Sequence, residues 1–251
     1  MCTVTFIPRK TGYLVGMNRD EKLTRVAGLP PVQRNKDGRT VIYPSEPSGG
    51  TWISLNDSGT TFALVNWYSV LTKAKKGIVS RGQIIPSIST TSSSETAKRD
   101  LAVLPLAQIK PFRLIGIFWA SRQIKEWQWD LQDLVETNHG WRAKQWISSG
   151  FDEPTAQKIR SHTFRIFRMR TSFGRVHSLR RLHSSHTPEK GPFSTCMHGE
   201  DAITVSYTEV RVSRNRASLQ HIFGPPCEGR RSEGRTSCRI GIRSPACSSS
   251  S

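Results

Sequence analysis

The order of strand-like and helix-like segments along this chain predicts an α+β domain built from stacked layers. Three observations support this prediction: residues 1–70 are β-rich, residues 95–109 have helical spacing of apolar side chains, and residues 204–212 are strand-like again. A sheet buries one face against another layer, so strands, then helices, then strands indicate a layered sandwich. At 251 residues, the chain is long enough for one large domain or two small ones.

The first predicted element is a β-hairpin at the start of the chain. Two strand-like segments, residues 3–7 and 12–17, are joined by a short turn. A hairpin brings the start of its first strand beside the end of its second strand. We therefore expect Cys2 to lie close to residues 18–20.

A second hairpin is predicted further along the β-rich part. Residues 51–55 and 61–65 alternate polar and apolar side chains around a turn that ends in glycine. Residues 30–31, which are both proline, and residues 45–50 are predicted to be loops. Most of the first seventy residues therefore contribute strands to a sheet.

The helical layer is predicted to begin at residues 80–82. The Ser/Thr-rich segment 87–94 is expected to be a loop or a mobile insert. Helical spacing follows over 95–109, although Pro105 interrupts it because proline cannot donate the backbone hydrogen bond that a helix needs.

Further strands are predicted in the second half of the chain. Residues 112–120 predict a buried strand, and residues 124–129 are expected to pair with it. Residues 140–150 and 153–164 are predicted to form turns and short helices. Residues 204–212 would then close the sheet.

The composition favours contact with anionic partners. The formal net charge is +18, from 37 Lys and Arg against 19 Asp and Glu, which is typical of proteins that meet phosphate, anionic lipid or acidic surfaces. No apolar run approaches the length of a membrane-spanning helix, and no secretory signal begins the chain. We therefore expect a cytoplasmic protein whose five cysteines do not form a disulfide framework.

The tail from residue 214 has a different character. It is rich in Arg and Ser and loses apolar periodicity, so residues 1–213 are predicted to form the domain and residues 214–251 a disordered basic tail. Two explanations of the tail remain open: an alternative splice or shifted reading frame, and a basic interaction tail.

Cys2 is a candidate nucleophile. The initiator Met is normally removed before a residue as small as Cys, which would leave Cys2 with a free α-amine. A thiol, its own amine as base and a nearby guanidinium, here Arg19, form a terminal nucleophile. The alternative is that Cys2 is a small buried side chain at the head of a strand, the common fate of a free cysteine.

Several motifs in this chain are those of a known family. They are Met1-Cys2-Thr3, Asn18-Arg19-Asp20-Glu21, Gly49-Gly50-Thr51-Trp52, Asn66, Ser80-Arg81-Gly82 and Cys196-Met197-His198. On these motifs the chain resembles the NRDE family, of the transport and Golgi organisation protein 2 type, over residues 1 to about 212. The resemblance implies a four-layer αββα sandwich similar to N-terminal nucleophile hydrolases.

The resemblance also implies roles for five residues. Cys2 would be the nucleophile, Arg19 would support its thiolate, and Asp20 would orient the terminal amine. Asn66 and Asn138 would supply an oxyanion hole and a substrate contact, because an amide donates to developing negative charge. The alternatives are an ordinary ion pair for Arg19 and Asp20 and turn residues for the two asparagines.

Two further clusters contain residue types that can bind ligands. His186, Cys196 and His198 match no structural-zinc spacing and lack a fourth ligand, so a metal site is not expected, and the chain has no Cys-x-x-Cys-His haem-attachment motif. The basic segment 158–190 lies in no recognisable nucleic-acid-binding module, so a solvated basic face or a cradle for phosphates is favoured.

Three functions remain open from the sequence. The resemblance implies a role in Golgi organisation and secretion, or in lipid, acyl-coenzyme A or haem handling, with Golgi or mitochondrial association and a pocket at Cys2 for an apolar anion. The second is a cysteine hydrolase that cleaves an amide or a thioester. The third and weakest is a basic nucleic-acid-binding protein. No cofactor is expected, and an anionic membrane surface is a further candidate partner.

Overall fold

A computed structural model describes residues 1–70, 79–170, 173–228 and 235–243. In this part of the chain, thirteen β-strands form two antiparallel sheets and four α-helices cover their outer faces. Strands and helices are numbered here along the chain.

The first sheet has six strands, and it contains both ends of the described chain. In spatial order they are β10 (Lys144–Ser148), β1 (Cys2–Arg9), β2 (Gly12–Lys22), β11 (Ala202–Ser213), β12 (Arg216–Phe223) and β13 (Arg235–Gly241). The β1–β2 hairpin is therefore interior to the sheet, which gives Cys2 a strand neighbour on each side.

The second sheet has seven strands that follow the chain order. They are β3 (Leu29–Lys36), β4 (Arg39–Ser45), β5 (Ile53–Asn56), β6 (Thr60–Asn66), β7 (Phe112–Phe118), β8 (Gln123–Trp129) and β9 (Leu134–His139). Every neighbouring pair is antiparallel, and the connections between neighbours are short except for residues 67–111, which join β6 to β7.

The helices lie in two pairs on opposite sides of the molecule. They are α1 (Ile84–Ile88) and α2 (Ser94–Ala102) on the second sheet, and α3 (Glu153–Arg168) and α4 (Val176–His183) on the first sheet. Helix α2 begins where the Ser93 side chain accepts a hydrogen bond from the Thr96 amide, and α3 begins where Asp152 accepts one from Thr155.

Side-chain alternation along the strands builds two kinds of core. On β6, Ala63 and Val65 face the first sheet, whereas Phe62 and Leu64 face α1 and α2. The largest apolar cluster lies between the two sheets, and smaller ones lie beneath the helices. The layers therefore run helices, sheet, sheet, helices, which confirms the predicted αββα sandwich.

The expectation of a disordered tail from residue 214 is wrong for the described part of that segment. Strand β12 pairs with β11 through seven residues, and β13 pairs with β12. Alternating residues of these strands, including Leu219 and Ile240, enter the core between the sheets. The domain therefore continues to at least residue 243, and residues 229–234 and 244–251 lie outside the described residues.

Other local predictions differ in detail from the structure. The segment 140–150 contains strand β10, and the predicted short helix at 153–164 is the 16-residue helix α3. The predicted proline loop at 30–31 lies in edge strand β3, at a register shift where proline costs few ladder hydrogen bonds. The Ser/Thr-rich segment 87–94 holds the end of α1, a connection of residues 89–93 and the first residue of α2.

Among the described helices, none combines the length and apolar character needed to cross a bilayer.

Candidate active site

Cys2 lies at the start of β1, where three strands meet. It pairs with Arg19 on β2 and with Ser148 on β10. Because directly paired residues point to the same face of a sheet, Cys2 and Arg19 both face the second sheet. The Cys2 side chain is buried in the core between the sheets. The predicted proximity of Cys2 to Arg19 is confirmed.

Met1 continues the strand by one residue beyond Cys2. Its α-amine donates to the Asp20 carbonyl at 2.9 Å, and the Asp20 amide donates to the Met1 carbonyl at 2.9 Å. The hydroxyl of Ser149 lies 3.6 Å from the Met1 sulfur. Met1 is therefore held in register and forms part of the surface in front of Cys2.

Arg19 is a buried cation whose charge is already balanced. Its guanidinium lies 2.7 Å from the Glu46 carboxylate and 3.3 Å from that of Glu21, and it stacks over the Trp52 ring at 4.4 Å. Stacking and ion pairing hold the guanidinium in one orientation. Arg25 pairs with the same two carboxylates, at 3.3 Å and 2.7 Å, so two guanidiniums and two carboxylates balance one another and leave little net positive charge to act on the Cys2 thiol.

Asp20 points to the opposite face of the sheet, towards the helices. Its carboxylate accepts hydrogen bonds from Arg160 at 3.1 Å and from the Thr204 hydroxyl at 2.7 Å. Arg160 also donates to the Thr3 hydroxyl at 2.8 Å, and both charged side chains are fully buried. The contact that Asp20 makes with the chain terminus is therefore through its backbone.

Asn18 also faces the helices and ties β2 to α4. Its side-chain amide donates to the carbonyls of His183 at 2.9 Å and Thr195 at 2.7 Å. These bonds satisfy a carbonyl at the end of α4 that would otherwise lack a helical partner. Asn18 therefore positions the helical layer against the β1–β2 hairpin.

The structure brings Asn66 to this site but not Asn138. Asn66 ends β6 next to Ser148, whose hydroxyl donates to the Asn66 carbonyl at 2.5 Å, and its amide donates to the Tyr68 hydroxyl at 2.7 Å. Asn138 is exposed on β9, at the far edge of the second sheet and three strands beyond β6. Only Asn66 of the two reaches the surface near Met1.

The Cys2 thiol is not activated while Met1 is present. Burial raises the pKa of Cys2 above its ordinary value, and this is the largest effect. The terminal ammonium and Arg19 lower that pKa, whereas Asp20 and Glu21 raise it, so the net direction is upward. Arg19 acts in the predicted direction but does not determine the outcome.

A cavity of about 1120 Å³ opens beside Met1. Its walls combine apolar or aromatic side chains with charges of both signs. The apolar or aromatic members include Met1, Tyr68, Phe151 and Met197, and the cationic members are Lys22, Arg25, Arg81 and Lys190. Of these cations, Arg25 pairs with Glu21 and Glu46. Arg81 donates to the Pro111 carbonyl at 3.0 Å and forms no ion pair with a described carboxylate. Such a cavity is large enough for a substrate with an apolar part and an anionic part.

Two features of this region have no signal in the sequence. Arg160 was only one cation of the basic segment 158–190, and nothing in the sequence indicated its burial against Asp20. The expected absence of a fourth ligand near His186, Cys196 and His198 is wrong, because Cys227 joins them with all four ligand atoms within 4.8 Å of one another. Cys227 lies in the segment predicted to be a disordered tail.

Comparison with known proteins places these observations in a family. Residues 1–155, more than half of the chain, match the family model described as Transport and Golgi organisation 2. No curated protein matches the sequence significantly.

Solved structures with a similar fold include two hydrolases. Penicillin V acylase from Agrobacterium tumefaciens is 14% identical with a TM-score of 0.54, covering 89% of this chain and 83% of that chain. A mutant conjugated bile acid hydrolase from Clostridium perfringens is 10% identical with a TM-score of 0.54, covering 96% and 92%. A second variant of that hydrolase is 9% identical with a TM-score of 0.53, covering 97% of each chain. At these identities the likeness shows the fold, and it confirms the predicted N-terminal nucleophile hydrolase-like architecture.

Proposed function

Because the chain belongs to the Transport and Golgi organisation 2 family and has the fold of N-terminal nucleophile hydrolases, we propose that it is a cysteine hydrolase. The proposed reaction is cleavage of an amide or a thioester, with Cys2 as the nucleophile after removal of Met1. One observation carries the proposal: a single residue, Met1, separates Cys2 from a cavity of about 1120 Å³.

Removal of Met1 would supply both missing elements of the nucleophile. The α-amine of Cys2 would become free, and the residue that covers Cys2 on the cavity side would be gone. The amide of Asp20 would lose its Met1 carbonyl acceptor, which leaves a backbone donor directed at the position of the new terminus.

The chemistry then follows the terminal-nucleophile pattern. The α-amine of Cys2 takes the thiol proton, and the thiolate adds to the substrate carbonyl. The side-chain amide of Asn66 donates to the developing oxyanion, and the ammonium returns its proton to the leaving amine or thiol. Water then cleaves the acyl–Cys2 thioester, which releases the carboxylic acid and regenerates the free thiol and amine.

The cavity walls indicate the class of substrate. Tyr68 and Phe151 offer aromatic surface to an apolar acyl group. Arg81 offers a guanidinium that can form a bidentate pair with a carboxylate or phosphate. An apolar acyl group joined to an anionic leaving group, as in an acyl-coenzyme A or an acylated amino acid, fits this combination.

The first experiment is an intact mass of the purified protein, followed by site-resolved labelling of cysteines with a mild thiol electrophile across pH. The hydrolase proposal expects that Met1 is absent and that Cys2 reacts fastest, with an apparent pKa below the ordinary 8.5 or so of a free thiol. Retained Met1, or labelling of Cys2 no faster than of Cys238, contradicts the proposal.

Catalysis is tested on a panel of acyl amides and acyl-coenzyme A thioesters. Cys2→Ala should abolish turnover, and Asn66→Ala should lower kcat about 10²-fold or more, as expected for an oxyanion donor. Cys238→Ala is the matched control because Cys238 lies on β13, away from the cavity, and this variant should keep full activity. Turnover that survives Cys2→Ala would rule out the proposed nucleophile.

A second candidate function is binding of the same class of ligand without turnover. It is favoured by the raised pKa of Cys2 and by the pairing of Arg19 with two carboxylates, since neither suits a thiolate. The ligand would be an acyl-coenzyme A or haem, and an anionic membrane surface is a candidate partner for the basic exterior. Tryptophan fluorescence titration with palmitoyl-coenzyme A or haemin tests this. Carriage without turnover expects binding that is unchanged in Cys2→Ala and no product.

In the cell, we propose a role in Golgi organisation and secretion, which rests on the description of the family. Association with the Golgi or with mitochondria, and a role in lipid or haem handling, belong to the same proposal. Imaging of the tagged protein together with secretion assays in cells that lack it provides the test. Unchanged Golgi morphology and unchanged secretion would contradict the cellular role.

A further inference from the structure

We propose that His186, Cys196, His198 and Cys227 bind one zinc ion, which clamps the segment after α4 to the turn after β12. The site is separate from the proposed nucleophile and does not depend on hydrolysis. It is built from three stretches of chain: residue 186, residues 196–198 and the 3₁₀ turn Pro226–Glu228.

The spacing of the ligand atoms fits tetrahedral coordination. All four atoms lie within 4.8 Å of one another. The His198 Nε2 atom lies 3.3 Å from the Cys227 sulfur and 3.7 Å from the Cys196 sulfur. Zinc bonds of about 2.0–2.3 Å in a tetrahedron put neighbouring ligand atoms roughly 3.3–3.8 Å apart. The remaining separations need only small side-chain movements to reach that range.

One polar atom of the cluster has no partner among the residues that the structure describes. The Nε2 atom of His186 is buried and accepts or donates no hydrogen bond to these residues, although a buried nitrogen normally has one. The His186 ring lies 5.0 Å from the His198 ring, centroid to centroid, at an angle of 73°. A shared metal ion would satisfy this nitrogen in the position where the structure places it.

The chemical type of the four ligands indicates which metal ion would bind. Two imidazoles and two thiols are soft to intermediate donors, and this combination in a tetrahedron is characteristic of Zn²⁺ rather than of Mg²⁺ or Ca²⁺. Four protein ligands leave no open position, so the ion would be structural.

Backbone hydrogen bonds already hold the ligand-bearing segments together. The Cys196 amide donates to the Ser185 carbonyl at 3.0 Å, and the His198 amide donates to the Gly191 carbonyl at 3.0 Å. The Ser184 hydroxyl donates to the Pro226 carbonyl at 3.1 Å, which links the end of α4 to the turn that carries Cys227. This scaffold sets the positions of the ligands before metal binds.

The zinc site would stabilise one wall of the cavity beside Met1. His198 lines that cavity, together with the neighbouring residues 197 and 199–202. A zinc ion that fixes His198 to Cys227 would therefore fix this wall to the outer strands of the first sheet. Its loss should loosen the cavity wall without removing any residue of the proposed nucleophile.

The test measures metal in the full-length protein. Wild-type protein purified from zinc-supplemented cells and dialysed should contain about one zinc ion per chain by inductively coupled plasma mass spectrometry. Cys227→Ser and His186→Ala should lose it, whereas Cys238→Ser should keep it, because Cys238 bonds to the Pro31 carbonyl and lies outside the cluster. Equal zinc in wild type and Cys227→Ser overturns the proposal.

A second measurement does not depend on the folding of variants. Cobalt(II) added to chelator-treated wild type should give visible d–d absorption of tetrahedral coordination and a near-ultraviolet sulfur-to-cobalt band, and zinc should displace it. Absence of these bands overturns the proposal. So does a Cys196–Cys227 disulfide in a non-reducing peptide digest of freshly purified protein, since joined sulfurs cannot both bind the ion.

Discussion

At the residue scale, buried polar groups on β2 and α4 determine how the helical layer sits on the first sheet. The His183 ring lies between two partners, with Nδ1 3.0 Å from the Asn18 side-chain oxygen and Nε2 3.0 Å from the Thr5 hydroxyl. Because the Asn18 nitrogen is used by two carbonyls, its oxygen has to accept from Nδ1–H. His183 is therefore a neutral ring with both nitrogens satisfied.

This neutral His183 predicts that stability falls in mild acid. Burial, with the nearby Arg160 cation, lowers the pKa of His183 from 6.5 to about 3. Below pH 6.5 this histidine is protonated in the unfolded chain but stays neutral in the folded chain. The free energy of unfolding therefore decreases as pH falls. Between pH 8 and pH 5, His183 alone should remove about 2 kcal/mol from the free energy of unfolding.

Urea unfolding at a series of pH values checks this prediction. His183→Gln should show a shallower loss of stability between pH 8 and pH 5 than wild type. His177→Gln is the matched control, because His177 is exposed on the same helix, and its pH profile should follow wild type. Parallel profiles for wild type and His183→Gln would contradict the assignment.

At the element scale, α4 approaches β2 so closely that only glycine fits between them. A Cβ atom at position 16 would lie 2.8 Å from the His183 Nε2 atom and 3.1 Å from a Leu179 methyl carbon. Both of these neighbours are themselves fully buried. The absence of a side chain at Gly16 therefore sets the distance between helix and sheet.

Gly16→Ala should push α4 away from the sheet and destabilise the protein by about 1–3 kcal/mol, the usual cost of overpacking. Chemical denaturation gives the value. Gly241→Ala is the control, because a Cβ there would meet nothing within 4 Å among the described residues. Its effect should stay within about 0.5 kcal/mol. Equal stability of the two variants would show that the helix is not constrained at this contact.

At the scale of the whole molecule, the segment beyond residue 213 belongs to the folded domain. Strand β12 pairs with the length of β11 from Ser206 to Val212, and Ala217 and Leu219 fill the core between the sheets. Without β12, strand β11 would become an open edge with apolar residues exposed on the inner face. An unprotected edge of this kind favours aggregation.

A chain that ends at residue 213 should therefore fail to fold, whereas one that ends at residue 243 should unfold cooperatively. Near-ultraviolet circular dichroism and size-exclusion chromatography distinguish the two outcomes. Both chains are compared in a chelating buffer, so that loss of Cys227 as a metal ligand does not contribute. A monomeric 1–213 chain with a native-like aromatic signal would contradict the prediction.

The edge strands β13 and β9 were not predicted from the sequence, and there is a physical reason for this. Strand β13 is at the sheet edge and is exposed along much of its length, so its Arg- and Ser-rich sequence resembles that of an unfolded segment. Strand β9, at the edge of the other sheet, likewise has no fully buried side chain. Edge strands need few apolar residues, because only part of one face meets the core.

The parts of this protein that depend on local pattern can be predicted from the amino-acid sequence. Alternation on both sides of a short turn set the β1–β2 hairpin, and the hairpin register brings Cys2 opposite Arg19. The turn at 56–59, the strand pair β7–β8 and the αββα layering follow in the same way, from periodicity and from the family resemblance.

The contacts between residues distant in sequence are visible only in the folded protein. It placed Asp20 against Arg160, left Asn138 at a far edge, and brought Cys227 to His198. These contacts arise from how sheets and helices stack, and they link residues separated by 29 to 140 positions. Local periodicity does not indicate which residues far apart in sequence are in contact. The charge balance around Cys2 and the cluster proposed to bind zinc are therefore visible only in the folded chain.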